Sequence, residues 1–192
     1  MKFITSRKIK LDKPLNELDK FVLRFINIIK EHVDYVVISG YVSILLGRSR
    51  ATEDVDIFIK PLNKDVFVKL YHHLKEAGFW CLNAESEDEV YNYLTEKLAV
   101  RFANQGETIP NMEVKFPKNE LDEEVFTDFL EVETAEGMIK ISSLERQVAF
   151  KKYYLKSQKD LEDAKHIEEV FKEHLNQEKI KKYKRILELK YG

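Results

Sequence analysis

The stretch Val36–Lys60, VVISGYVSILLGRSRATEDVDIFIK, decides how the rest of the chain is read. Tyr35–Ile38 is β-branched and aromatic and predicts a strand; Ser39 and Gly40 make a tight turn, and Tyr41–Leu46 predicts a short helix. A strand that turns straight into a helix leaves free backbone N–H groups at the helix start, where anions bind well. A loop containing Gly47, Arg48, Arg50 and Thr52 leads to a second predicted strand, Asp54–Lys60. Side chains alternate along a strand, so Asp54 and Asp56 share one face while Val55, Ile57 and Ile59 line the other. Adjacent carboxylates on a buried strand, which this apolar run is expected to be, repel each other and resist losing water unless a cation compensates them. Mg²⁺ or Mn²⁺, which favour hard oxygen ligands, is the simplest compensation. Taken alone, these residues also fit two solvated charges on an edge strand after an ordinary turn.

The chain has 192 residues, 44 % hydrophobic and 34 % charged, which suits one globular domain or a core with a helical extension. Its formal net charge of −2 argues against coating nucleic acid by bulk electrostatics. The single cysteine, Cys81, excludes an internal disulfide framework and is expected to be buried and inert. No apolar run approaches the ~20 residues of a membrane span and no signal segment opens the chain, so a soluble, cytoplasmic protein is expected. Gly40 and Gly47 are not followed by Lys-Ser or Lys-Thr, and no Gly-x-Gly-x-x-Gly occurs, which removes the common phosphate-loop and dinucleotide motifs.

Outward from the quoted stretch, Asp12 is expected to cap a helix running to about His32, and a second amphipathic helix spans Asp65–Ala77. His72 and His73 lie on that second helix about a hundred degrees apart and read as surface residues. Phe79–Leu82 predicts a strand, Ser86 and Glu89 a capping box, and Leu98–Phe102 another strand. In Asn111–Pro117, Met112, Val114 and Phe116 share one face, Glu113 and Lys115 the other. Asp122, Glu123 and Glu124 read as solvated charge on a helix after Asn119. Leu130–Thr134 and Met138–Ile141 predict a hairpin with Glu131 and Glu133 facing solvent. Ser142 with Glu145 is expected to cap a helical region interrupted near Ser157 and Asn176. Its basic stretch, Lys179–Arg185, fits either a solvated helix end or a grip on an RNA backbone.

A phosphate cradle followed on the next strand by Asp54-Val55-Asp56 resembles the nucleotidyltransferase fold of the DNA polymerase β superfamily. The segment Gly47-Arg48-Ser49-Arg50-Ala51-Thr52-Glu53-Asp54-Val55-Asp56 is most similar to the GxRxTxDxD pattern of the minimal and abortive-infection (toxin-type) enzymes. Ser39 stands where the family usually has its first glycine, and Glu113 where it usually has a third aspartate. A second island, Leu144–Lys151 followed by Lys159-Asp160-Leu161-Glu162-Asp163, resembles the C-terminal segment of the same enzymes. The resemblance implies an α/β (α+β) fold with a mixed sheet flanked by helices, residues 1–141 forming the core and residues 142–192 a helical region completing the nucleotide site. It also implies Asp54, Asp56 and Glu113 as catalytic and metal-binding acids. Ser39, Gly40, Arg48, Arg50, Thr52 and Lys151 would meet the phosphates, with Asp160 and Asp163 supporting the helices.

The activity implied is metal-dependent transfer of a nucleoside monophosphate from a nucleoside triphosphate to a hydroxyl on RNA, protein or a small molecule, with release of pyrophosphate. A toxin paired with an antitoxin protein fits the same pattern. The rival from another class is a catalytically silent domain of this fold that binds a nucleotide, RNA or a partner protein.

Overall fold

The computed structural model describes residues 1–191. Strands β1 (Lys2–Thr5), β2 (Lys8–Lys10), β3 (Tyr35–Val37), β4 (Asp54–Ile59), β5 (Phe79–Cys81), β6 (Val100–Asn104), β7 (Asn111–Lys115), β8 (Phe129–Thr134) and β9 (Gly137–Ser142) form one mixed sheet in the order β1-β2-β8-β9-β3-β4-β7-β6-β5. The two strands of the quoted stretch, β3 and β4, lie at its centre and run antiparallel. β4 then pairs in parallel with β7, and β7 pairs antiparallel with β6. The helices are α1 (Glu17–Ile29), α2 (Gly40–Leu45), α3 (Lys64–Glu76), α4 (Glu87–Thr95), α5 (Glu120–Glu123), α6 (Leu144–Phe150), α7 (Gln158–Val170) and α8 (Gln177–Tyr191).

Alternation along the central strands sorts the side chains into two clusters. Val37, Val55, Ile57 and Ile59 join the main core with Phe21, Phe25 and Ile26 of α1 and Phe67 and Leu70 of α3. Val36 and Phe58 face the other way, onto Val125 and Phe126 in a short 3-10 turn after α5. A large apolar side chain gains roughly 1.5–3 kcal/mol on full burial, so the main core sets most of the stability. The small cluster covers only part of the opposite face. Asp54 and Asp56 point from that face, beyond its cover.

Several predicted boundaries shift. α1 is capped by Asn16 and not by Asp12: the Asn16 side chain accepts from the Asp19 N–H at 2.8 Å, and the Asp19 carboxylate accepts from the Asn16 N–H at 3.2 Å. This reciprocal box starts the helix later, and Pro14 biases Lys13 towards extended backbone. β6 begins at Val100 because Lys97 adopts a left-handed conformation (φ 63°) that closes α4 and leaves Leu98 in the turn. Ser142 pairs with Phe129 as the last residue of β9, so Ser143 caps α6, its hydroxyl accepting from the Arg146 N–H at 3.3 Å. Glu145 makes no capping box; it accepts from the Asn176 N–H at 3.0 Å. The predicted hairpin forms as β8 and β9, and Cys81 is buried. Among the described residues no helix is long and apolar enough to cross a membrane.

α6, α7 and α8 pack together, and Ile167, Ile180, Tyr183 and Leu187 enter the main core. Asp128 ties α8 to the sheet: it accepts from the Tyr183 hydroxyl at 2.6 Å and the Ser143 hydroxyl at 2.6 Å, and pairs with Lys179. The basic stretch of α8 therefore turns Lys179 and Tyr183 inward. Burial alone would raise the Asp128 carboxyl, but Lys179, Ser143 and Tyr183 together hold it below its ordinary value of 3.8. With a depressed folded pKa, its contribution is complete above that value and disappears as pH falls through the folded pKa. Asp128→Asn should cost about 1–2 kcal/mol in urea denaturation at pH 7. Its difference from the wild type should shrink at acid pH, below the ordinary carboxylate range.

Candidate active site

The register of three strands builds a row of charged side chains. Asp56 on β4 lies opposite Glu113 on β7, and Glu113 opposite Arg101 on β6. Alternation brings Asp54 and Lys115 to the same face. The Lys115 ammonium donates to Asp56 Oδ1 at 2.6 Å and pairs with Glu113 Oε1 at 2.7 Å, while Arg101 donates to Glu113 Oε2 at 2.7 Å and 3.0 Å. Burial pushes the Asp56 carboxyl up from its ordinary value, against the opposing pull of Lys115. For Glu113, burial is outweighed by Lys115 and Arg101, and the carboxyl titrates low. Asp54 is exposed; the Thr52 hydroxyl lies 3.3 Å from its Oδ1 and donates to its backbone carbonyl at 2.9 Å. Glu113, expected as a metal ligand, thus has both carboxylate oxygens engaged by cations.

Beside this row stands the turn that opens α2. Ser39 sits at φ 64°, ψ −137°, a conformation in which glycine is at ease and other residues are strained by about 1–3 kcal/mol. Gln147, reaching over from α6, clamps both of its backbone groups. With its amide oxygen facing the donors, Gln147 accepts from the Ser39 N–H at 3.1 Å and donates to the Ser39 carbonyl at 3.3 Å. Gly40 makes room for a neighbour: a Cβ there would come within 2.9 Å of the Arg50 guanidinium, which would have to shift. α2 is anchored from below by Tyr41, whose hydroxyl donates to the fully buried Asp19 at 2.9 Å.

The resemblance places Arg48, Arg50 and Lys151 at the phosphates; in the structure all three converge on Asp163. Asp163 is 0 % exposed and accepts from Arg50 at 2.8 Å, from Lys151 at 2.8 Å and from Arg48. Arg48 also reaches Glu162 and the Lys159 carbonyl. Lys151 is 1 % exposed, with Asp160 at 3.4 Å as a second anion. Asp163 thus joins the loop after α2 to α7, while Asp160 meets Lys151 and the Ser157 hydroxyl. A cavity of about 330 Å³ opens between these parts, walled by Ser39, Asp56, Phe58, Lys115, Lys118, Gln147, Phe150, Lys151, Tyr154 and Leu155. Its C-terminal wall is a π-helical turn, Lys151–Leu155, a geometry that recurs at functional sites.

Lys115, Arg101 and Gln147 are the participants that the sequence reading leaves without a role. Lys115 shares a strand face with Glu113, which was the available signal; Gln147 carries none, because its partner lies more than a hundred residues away. His73 on α3 meets His32 in the turn after α1, Nδ1 to Nε2 at 3.1 Å, with Glu31 beside them. Among the described residues this is the one trio of His, Cys, Asp or Glu whose ligand atoms lie within 4.8 Å of one another; Asp54, Asp56 and Glu113 do not draw so close.

Two outcomes test this construction by chemical denaturation. Ser39→Gly should raise stability by about 1 kcal/mol, by releasing the strained turn. Asp163→Asn should lower it by about 3–5 kcal/mol, because Lys151 and two arginines lose their common anion.

Neither a protein-family model nor a curated protein matches the chain in sequence. Solved structures do match in fold. An antigenic nucleotidyltransferase-like protein from Paracoccidioides brasiliensis superposes with a TM-score of 0.51 at 16 % identity, covering 93 % of this chain and 91 % of its own. The antibiotic-resistance factor ANT(2'')-Ia, in complex with adenylyl-2''-tobramycin, superposes with a TM-score of 0.52 at 10 % identity, covering 90 % of this chain and 98 % of its own. JHP933 from Helicobacter pylori gives 0.51 at 16 % identity, covering 86 % and 72 %. At these identities the likeness is one of architecture, and the chain has the nucleotidyltransferase fold.

Proposed function

We propose that this chain transfers a nucleoside monophosphate from a nucleoside triphosphate to a hydroxyl acceptor on RNA, protein or a small molecule. The observation that supports this reading best is the row Asp54, Asp56 and Glu113, whose Asp56 lines one cavity with Ser39 of the turn into α2, in a chain of this fold. The resemblance of Gly47–Asp56 to the abortive-infection pattern is what favours the finer reading of a toxin acting with an antitoxin protein.

The donor set suits a divalent ion at its exposed end. Asp54 and Asp56 each keep an oxygen, Oδ2, without a protein partner among the described residues, and Mg²⁺ is commonly held by one or two carboxylates plus substrate phosphates. Asp54 and Asp56 would hold Mg²⁺ or Mn²⁺. Such an ion, once bound, neutralises phosphate charge and acidifies the attacking hydroxyl. The rest falls to the chain's own residues. Phe58, Phe150 and Tyr154 offer apolar faces for the nucleobase, and Lys118 lines the same cavity. Arg50, held against Gly40, places a guanidinium beside the first turn of α2, where a terminal phosphate would be met by charge and backbone N–H together. Arg48 and Lys151 fix α7 and the cavity wall from behind. The acceptor oxygen bonds to the α-phosphorus as the bond to the bridging oxygen breaks. Pyrophosphate carries away the electron pair, and the hydroxyl proton passes to a carboxylate of the row.

Incubation with α-phosphate-labelled nucleoside triphosphates, Mg²⁺ or Mn²⁺, and separate pools of RNA, protein and metabolites tests the reading. Label should enter one pool with the wild type. Asp54→Asn and Asp56→Asn should retain the fold and lose at least about a hundredfold in rate. Full rates in both variants would overturn the assignment.

A further inference from the structure

Lys115 and Arg101 are the members of the charged row to which the proposed reaction gives no part, and Lys115 lies at its centre. Its ammonium lies between Asp56 and Glu113, 2.6 Å from one carboxylate and 2.7 Å from the other. Arg101 occupies the remaining oxygen of Glu113 with two hydrogen bonds. Both oxygens of Glu113 are therefore taken by cations, and the gap between Glu113 and Asp56 is already filled by positive charge. A divalent ion placed there would have to expel the ammonium, since like charges at such separations repel strongly. At the other end of the row, Asp54 and Asp56 present their Oδ2 atoms without protein partners among the described residues.

We propose that Lys115 is the resident cation of the Asp56–Glu113 pair, so that the site takes up a single divalent ion, between Asp54 and Asp56. The proposal rests on the nucleotidyl-transfer reading and refines it. Glu113 then acts as a positioning residue: with Arg101 behind it, it holds the ammonium against Asp56. The same ammonium lines the cavity beside Asp56. The arrangement has a physical motive. An ammonium carried by the neighbouring strand, with Arg101 beside it, balances two facing carboxylates at all times, whereas a second bound ion would do so only when loaded.

Manganese binding to the full chain, counted by titration with electron paramagnetic resonance in the presence of a non-hydrolysable ATP analogue, tests this. The wild type should bind one Mn²⁺ per chain, and Glu113→Gln and Lys115→Arg should also bind one. Lys115→Met should bind two, and its melting temperature should fall without Mn²⁺ and recover with it. Should Lys115→Met fail to fold even with Mn²⁺, the counts for the wild type and Glu113→Gln decide. Two ions in the wild type, or loss of the ion in Glu113→Gln, would overturn the proposal while leaving nucleotidyl transfer standing. Failure of the underlying reading looks different: the wild type would take up neither Mn²⁺ nor the nucleotide analogue, and both proposals would fall together.

Discussion

A carboxylate with no exposed surface and three cations around it holds the two halves of the site together. Asp163 sits on α7, late in the chain, and receives Arg48 and Arg50 from the loop that joins α2 to β4, and Lys151 from the end of α6. Taking such a charge out of water costs several kcal/mol, which only well-placed partners offset. The convergence therefore acts as a lock on geometry more than as a source of stability. It fixes the loop leading into the Asp54–Asp56 strand against the helices that wall the cavity. It also holds the Arg50 guanidinium close to Gly40, so a side chain there would have to displace it.

Strand register supplies the second constraint. Once β4 and β7 pair in parallel with Asp56 opposite Glu113, every charged side chain of the row has its neighbour assigned, because the pleat repeats every two residues. Shifting β7 by one residue would send Met112 and Val114 to the open face and Glu113 into the core. The apolar residues opposite the row thus specify the row. The adjoining turn is built on strain instead: Ser39 holds a backbone conformation suited to glycine, and Gln147 satisfies both of its peptide groups from α6. Strain held by a clamp from a distant element makes the turn depend on the helical region being docked.

How much of this was legible in the sequence follows from range. β3, α2 and β4 were readable because a strand-turn-helix-strand pattern is local, and the shared face of Asp54 and Asp56 follows from a period of two. The hairpin of β8 and β9 was readable for the same reason. Boundaries moved wherever two local signals competed, as at Asp12 against Asn16 and at Ser142 against Ser143. In each case the prevailing signal was the residue with the better hydrogen-bond partner, the reciprocal cap in one and the strand ladder in the other.

Spacing within a few residues was enough to read the acids that share one strand face and the turn beside them, whereas the mixed sheet was what the resemblance implied. Which charges meet was set by packing. The arginines of the GxRxTxDxD-like segment are drawn to Asp163, more than a hundred residues away, and Lys115 settles between Asp56 and Glu113 across paired strands. Charged side chains go to the partner that best compensates their loss of water, and that partner is set by how the elements pack.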